Sequence, residues 1–450
     1  MTMRRRSLYW FLAIACFGAA APASAAHHTL LLPRQALRPA DIAVIVNDRD
    51  ELSKQIGAYY QKQRKIPNRN IIHVKLPTAS RTLTRERFRK VFNTIIDRTS
   101  PSVEAYLLTW SWPYRVECQS ITTAFATGFD PQYCAASTNE EPCRPTKTSP
   151  YYATDSIRPF EDLHLRPTML LPANNFEEAK ALIDRGVQAD NSHPKGTAYL
   201  VETHDRNRSV RRVFYPAVKR QLGRRIPVEI IKTDALRDRD DIMFYFTGAT
   251  RIEGLDTLHF LPGAVADHLT SAGGLIPLDD KPLGQMSALR WLQAGATGSY
   301  GTVKEPCNFL QKFPNPLVLM ENYLNGSTLI EAYWKSVAQP GEGLFIGEPL
   351  ARPYGQDRVE LEEDHAEVRL WTLMPGTYSW EASLYPVGPY KRLNAEMEIR
   401  YRGEKVILDT LDAPWYRVRL VHKRTPLDAL PPAAGLIMLR QATIFHESTK

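Results

Sequence analysis

Apolar residues fall in short continuous runs along the first two thirds of the chain, each followed by a helical stripe. Ile42-Ala43-Val44-Ile45-Val46 is one such run, and it ends in the polar turn Asn47-Asp48-Arg49-Asp50, which can cap a helix. Leu52, Ile56, Tyr59 and Tyr60 then recur at helical spacing, and the pattern stops before Pro67. Ile71-Ile72-His73-Val74 reads as a second strand, Phe88, Val91, Phe92, Ile95 and Ile96 as the stripe of a second helix, and Ala105 to Trp110 as a third strand. The rhythm resumes at Thr197 to Val201, Val228 to Ile231, Ile242 to Phe246 and the small-residue run Ala296 to Val303. Unbroken apolar strands separated by helices predict an α/β fold whose parallel sheet is covered on both faces.

Two stretches break this rhythm. About 115–165 is rich in Pro, Thr and Ser, holds three cysteines and reads as a disulfide-pinned insertion. From about 358 apolar positions alternate on a period of two, as at Val368 and Leu370, Tyr378 and Trp380, and Met397, Ile399 and Tyr401, with turns at Pro375-Gly376 and Arg402-Gly403. That pattern predicts a C-terminal β-sandwich over 358–450.

The first 25 residues read as an export signal: Arg4-Arg5-Arg6, the apolar run Leu8 to Ala15, and a small-x-small site at Ala23-Ser24-Ala25. The run is shorter than the about 20 residues a bilayer span needs, so no transmembrane segment is expected. Cys16 leaves lipid anchoring as the less favoured alternative to cleavage and release, into the periplasm or outside the cell. Without the leader the net charge falls from +8 to about +5, and the cysteines from five to four: Cys118, Cys134, Cys143 and Cys307. An even count in an oxidising compartment predicts two disulfides, and no Cys or His spacing suits zinc. The basic cluster Arg206, Arg208, Arg211, Arg212, Lys219 and Arg220 reads as a solvated helix face, and nucleic acid is not expected as a partner.

Residues 240–355 resemble the catalytic half of gingipain-type, caspase-like cysteine peptidases. The strand Ile242 to Phe246 runs into Thr247-Gly248-Ala249, where those peptidases end in Gly-His and the His is the base. Leu258 to Val265 falls where they present their Cys, and no Cys is there. Gln293 to Val303, Asn325 to Ala332 and Phe345 to Leu350 resemble the family's later landmarks, the last with Glu348 for Asp. The resemblance implies a Rossmann-type caspase/gingipain-like core, in an N-terminal subdomain over 26–195 and a gingipain-like subdomain over 196–357. A trailing β-sandwich is also what those peptidases carry. Pro262 to Ser271, Gly301 to Pro306 and Gly347 to Leu350 are similar to a group of exported bacterial proteins met in genomes encoding exosortase-type sorting. That second likeness implies a fold and a compartment, not a reaction.

Open parallel sheets bind ligands beyond the carboxyl ends of their strands. There Asp267-His268 and Glu305-Pro306-Cys307 follow two expected strand ends. One reading is a relocated cysteine peptidase site, with Cys307 as nucleophile, His268 as base and Asp267 or Glu305 orienting the ring. Against it, Cys307 could be oxidised with Cys118. Another reading has Asp267, His268 and Glu305 on a metal. The bland reading has Asp267 capping a helix and His268 bonded to a loop carbonyl. A fourth has a crevice that binds a protein, peptide or envelope ligand without turning it over, lined by Trp110, Trp112, Arg115, Thr247, Gly248 and Glu305. With no phosphate loop or nucleophile elbow, the expectation is a non-catalytic binding or envelope-assembly protein that needs no cofactor.

Overall fold

The computed structural model describes residues 27–135, 143–277, 284–361, 366–408 and 411–423. The expected leader, with Cys16, lies outside the described residues, as do Glu362, Glu363 and Asp364 of the linker. Among the described residues no helix is long and apolar enough to cross a membrane.

Ten strands form the central sheet. In chain order they are β1 (Ile42–Asn47), β2 (Ile71–Val74), β3 (Ala105–Leu108), β4 (Thr168–Leu170), β5 (Thr197–Glu202), β6 (Val228–Lys232), β7 (Arg239–Thr247), β8 (Leu258–His268), β9 (Gly298–Thr302) and β10 (Gly343–Gly347). Across the sheet they lie in the order β6-β5-β7-β8-β9-β10-β4-β3-β1-β2. Strands β1 to β4 pair parallel with one another, and so do β5 to β9. Between the two groups lies β10, antiparallel to β9 and joined to β4 at the single bridge Ile346–Leu170.

Burial follows from the patterning. Ile42 to Val46, Ala105 to Leu108 and Ile242 to Phe246 are buried throughout, because helices cover both faces. On one face Phe244 meets Tyr323 of helix α6 (Pro316–Leu324); on the other Tyr245 meets Trp291 of α5 (Leu289–Gln293). Helix α1 (Glu51–Arg64) starts as the polar turn predicts, with Asp50 accepting from the Leu52 N–H at 3.0 Å. It packs on α3 (Phe176–Ala189), while α2 (Arg85–Arg98) turns its Phe88 and Ile95 to the core.

The C-terminal unit is a five-stranded sheet with a separate two-stranded ribbon, Ala366–Arg369 with Lys405–Leu408. Leu370, Tyr378, Ile399, Tyr416 and Val418 belong to a core of its own. The sequence pattern does not show its second member: His28–Leu31, just past the expected leader, pairs antiparallel with Arg358–Leu361 and parallel with Trp415–Lys423. The start of the expected 26–195 subdomain therefore sits in the last sheet of the chain.

The cysteines pair as Cys118–Cys134 and Cys143–Cys307. The first bridge closes a short loop inside the insertion. The second ties the insertion to the loop after β9, 164 positions away. Cys307 is oxidised, with Cys143 and not with the Cys118 considered above; parity fixes how many bridges form but not which.

Glu348, where the resembling peptidases have Asp, fastens α1 to the sheet. Arg64 donates to both of its oxygens, at 2.9 and 2.5 Å, and Tyr60 donates its hydroxyl at 2.7 Å. Arg64 also pairs with Asp190, just past α3. Glu348 is fully buried, so deleting it takes two charge-assisted bonds from the buried Arg64 guanidinium and leaves it Asp190 alone. Glu348→Ala is expected to cost about 3–5 kcal/mol of stability by urea unfolding. Glu348→Asp should fall between, since the shorter acid cannot keep both Arg64 bonds and the Tyr60 bond.

Candidate functional site

Strand β8 ends in Asp267 and His268, inside the sheet and not at the start of a helix. The expected helix cap is therefore absent; the polar pair is the last of the strand. Successive strand residues point to opposite faces, and here the two have separate partners.

Asp267 faces the segment before α4 (Tyr215–Leu222), where Arg211 forms an ion pair with it. Both side chains are 1% exposed. Arg211 also donates to the Thr247 carbonyl at 2.8 Å, so one guanidinium fastens the ends of β7 and β8. Arg211 was expected on a solvated face with its basic neighbours; it is interior because Asp267 requires a partner away from water.

His268 faces the other way, toward Trp291. The indole N–H donates to His268 Nδ1 at 2.9 Å, which leaves the ring proton on Nε2, directed at the Met286 carbonyl at 3.1 Å. Burial pushes the imidazole pKa down to about 4. A neutral ring with both nitrogens engaged has no free lone pair for a substrate proton. The hydrogen bond to a loop carbonyl is the one the bland reading expects.

The rest of the relocated peptidase site does not form. Cys307 is bonded to Cys143, and a disulfide sulfur is not a thiolate nucleophile. Glu305 is exposed and accepts from the Cys307 backbone N–H at 2.8 Å, so it orients the loop and not a ring. Asp267 cannot orient His268 from the opposite face. The same divergence removes the metal reading, and among the described residues no cluster of three or more His, Cys, Asp or Glu could hold a metal.

At the end of β7, Gly248 passes so close to Arg208 that an added Cβ would lie 2.0 Å from its carbonyl oxygen. Ala249 follows and packs its methyl group against the core. Thr247 is 1% exposed, and Trp110, equally buried, donates to the Pro113 carbonyl at 3.0 Å. Thr247, Gly248 and Trp110 are thus parts of the interior, not of a ligand-facing wall.

Trp112, Arg115 and Glu305 do reach one surface. Half-buried Trp112 donates to the Ile276 carbonyl at 2.7 Å, and Arg115 reaches Thr82 Oγ1 at 2.6 Å and the Val303 carbonyl at 3.4 Å. These bonds bring the segment after β3 to the segments after β8 and β9. The structure adds two cations that sequence reasoning missed. Arg81 lies 5.0 Å over the Trp112 ring, and exposed Lys304 adjoins Glu305. Arg81 is carried there by two-residue pairings of Thr82–Leu83 with Arg115–Val116, too short to leave a periodic signal. Among the described residues, this places the Trp112 ring, Arg81 and Arg115 beside the loop that carries Lys304 and Glu305.

No family model matches the sequence, and no curated protein does. Two solved structures are similar at low identity. The complex of Porphyromonas gingivalis RgpB pro- and mature domains is 11% identical with a TM-score of 0.36, over 83% of this chain and 94% of that one. A structure described as a protease is 9% identical with a TM-score of 0.41, over 86% of this chain and 98% of that one. Likeness at this level transfers no residue roles.

Asp267→Ala leaves Arg211 buried without its counter-ion and is expected to cost about 3–5 kcal/mol in urea unfolding. Replacing both together, Asp267→Leu with Arg211→Met, should recover a large part of that loss, because an apolar pair leaves no orphaned charge. A double variant as unstable as the single would contradict this assignment.

Proposed function

We propose that this chain is an exported, non-catalytic binding protein that holds an acidic polypeptide segment at the mouth of its sheet. The observation that carries this reading is the commitment of both reactive groups: Cys307 in a disulfide and His268 between Trp291 and Met286. Export is supported by two disulfides, which persist in oxidising compartments, and by the leader-like N-terminus.

What is left at the mouth suits recognition. Among the described residues, Arg81, Arg115 and Lys304 outnumber Glu305, which favours an anionic partner and speeds its approach at low salt. Trp112 offers a ring whose N–H is already satisfied, so its accessible surface serves apolar and cation–π contact. The Cys143–Cys307 bridge holds the loop bearing Lys304 and Glu305 in place, which lowers the ordering cost of binding.

The test is a mixed peptide library incubated with unreduced protein and read by mass spectrometry. Acidic peptides should be retained intact, and Arg81→Glu with Lys304→Glu should abolish retention. Cleavage products that disappear in Cys307→Ser or His268→Gln would overturn the proposal in favour of a cysteine peptidase.

A further inference from the structure

A second cleft lies at the opposite end of the same strands, where β5 and β7 begin. It has a volume of about 560 Å³ and is walled by the core on one side and by Tyr354, Gln356 and Trp371 on the other. Its charge is one-sided. The acid in its wall, Asp241, is engaged by the hydroxyls of Thr197 and Tyr199 at 2.5 and 2.8 Å. Against it stand Lys195, Arg224 and Arg225. Among the described residues, neither Lys195 nor Arg224, both exposed, has an acidic partner.

Arg225 is the informative member. Its guanidinium is half-buried, stacks 4.1 Å from the Trp371 ring centroid, and donates to Asn325 Oδ1 and the Leu324 carbonyl, at 2.6 and 2.5 Å. All these partners are neutral. A cation taken out of water ordinarily finds a carboxylate; this one has none in ion-pair contact, and burial pushes its pKa down to about 10. A ligand that completes the cleft therefore brings a negative charge to this cationic wall. Ile226, Pro227 and Leu324 supply apolar wall between these groups.

We infer that this cleft captures the C-terminus of a polypeptide whose last side chain is apolar. The terminal carboxylate meets Arg224, Arg225 and Lys195, and the side chain lies along Leu324 and Trp371. The cleft has room for about two residues of such a chain, within the size range of small-ligand sites. The site is separate from the sheet mouth and stands whether or not the mouth binds an acidic segment.

Titration calorimetry with N-acetylated tripeptides tests it, with each of the ordinary amino acids in last place, as free acids and as C-terminal amides. Acids ending in an apolar residue should bind saturably, and their amides about tenfold or more weaker. Lys195→Glu with Arg224→Glu, both at exposed positions, should cause a loss of the same order, while Lys90→Glu on the distant α2 should change nothing. The inference fails if no acid binds saturably. It also fails if acid and amide bind alike, if the double variant binds as the parent does, or if inorganic phosphate competes as well as the best peptide.

Discussion

Adjacent residues on a strand cannot share a pocket, and the sheet mouth of this protein is organised by that constraint. Asp267 and His268 are a general-base pair only if their side chains converge. On β8 they diverge, one to Arg211 and one to Trp291, and each is buried against its partner. The pair locks the strand to layers on both sides of the sheet. Polar side chains buried this deeply also specify one arrangement, since any register shift by one residue would exchange their faces.

The same economy recurs elsewhere in the core. Arg64, Tyr60 and Glu348 join α1 to the end of β10, as Arg211 and Asp267 join the two strand ends. Both are charge pairs shielded from water, so they add little net stability over an apolar core but make a broken pair costly. Function then falls to what the core leaves exposed: cationic surfaces at the two ends of the sheet. At the mouth Trp112 accompanies Arg81, Arg115 and Lys304; at the far end Trp371 accompanies Arg225. Both are the places where the proposals above seat anionic polypeptide.

Much of the α/β core could be read from the sequence because its signal is local. The run Ile42 to Val46, the stripe from Leu52 to Tyr60 and the cap at Asp50 each depend on residues a few positions apart. The site was less legible because its partners are distant. Asp267 and His268 look like a turn, since polar residues interrupt the apolar run. Only Arg211, 56 positions back, and Trp291, 23 ahead, reveal a buried strand end. Nothing local distinguishes Arg211 from its solvated basic neighbours. The strand His28–Leu31 was hidden for the same reason, its partners being at the far end of the chain.

His268 serves as a structural imidazole, and nitrogen NMR of labelled protein reads its state, with the His268 resonances assigned by comparison with His268→Gln. A neutral ring with its proton on Nε2 is expected, unchanged between about pH 5 and pH 8, the window in which ordinary histidines titrate. A His268 ring that gains a proton near neutrality, or whose proton sits on Nδ1, would contradict it.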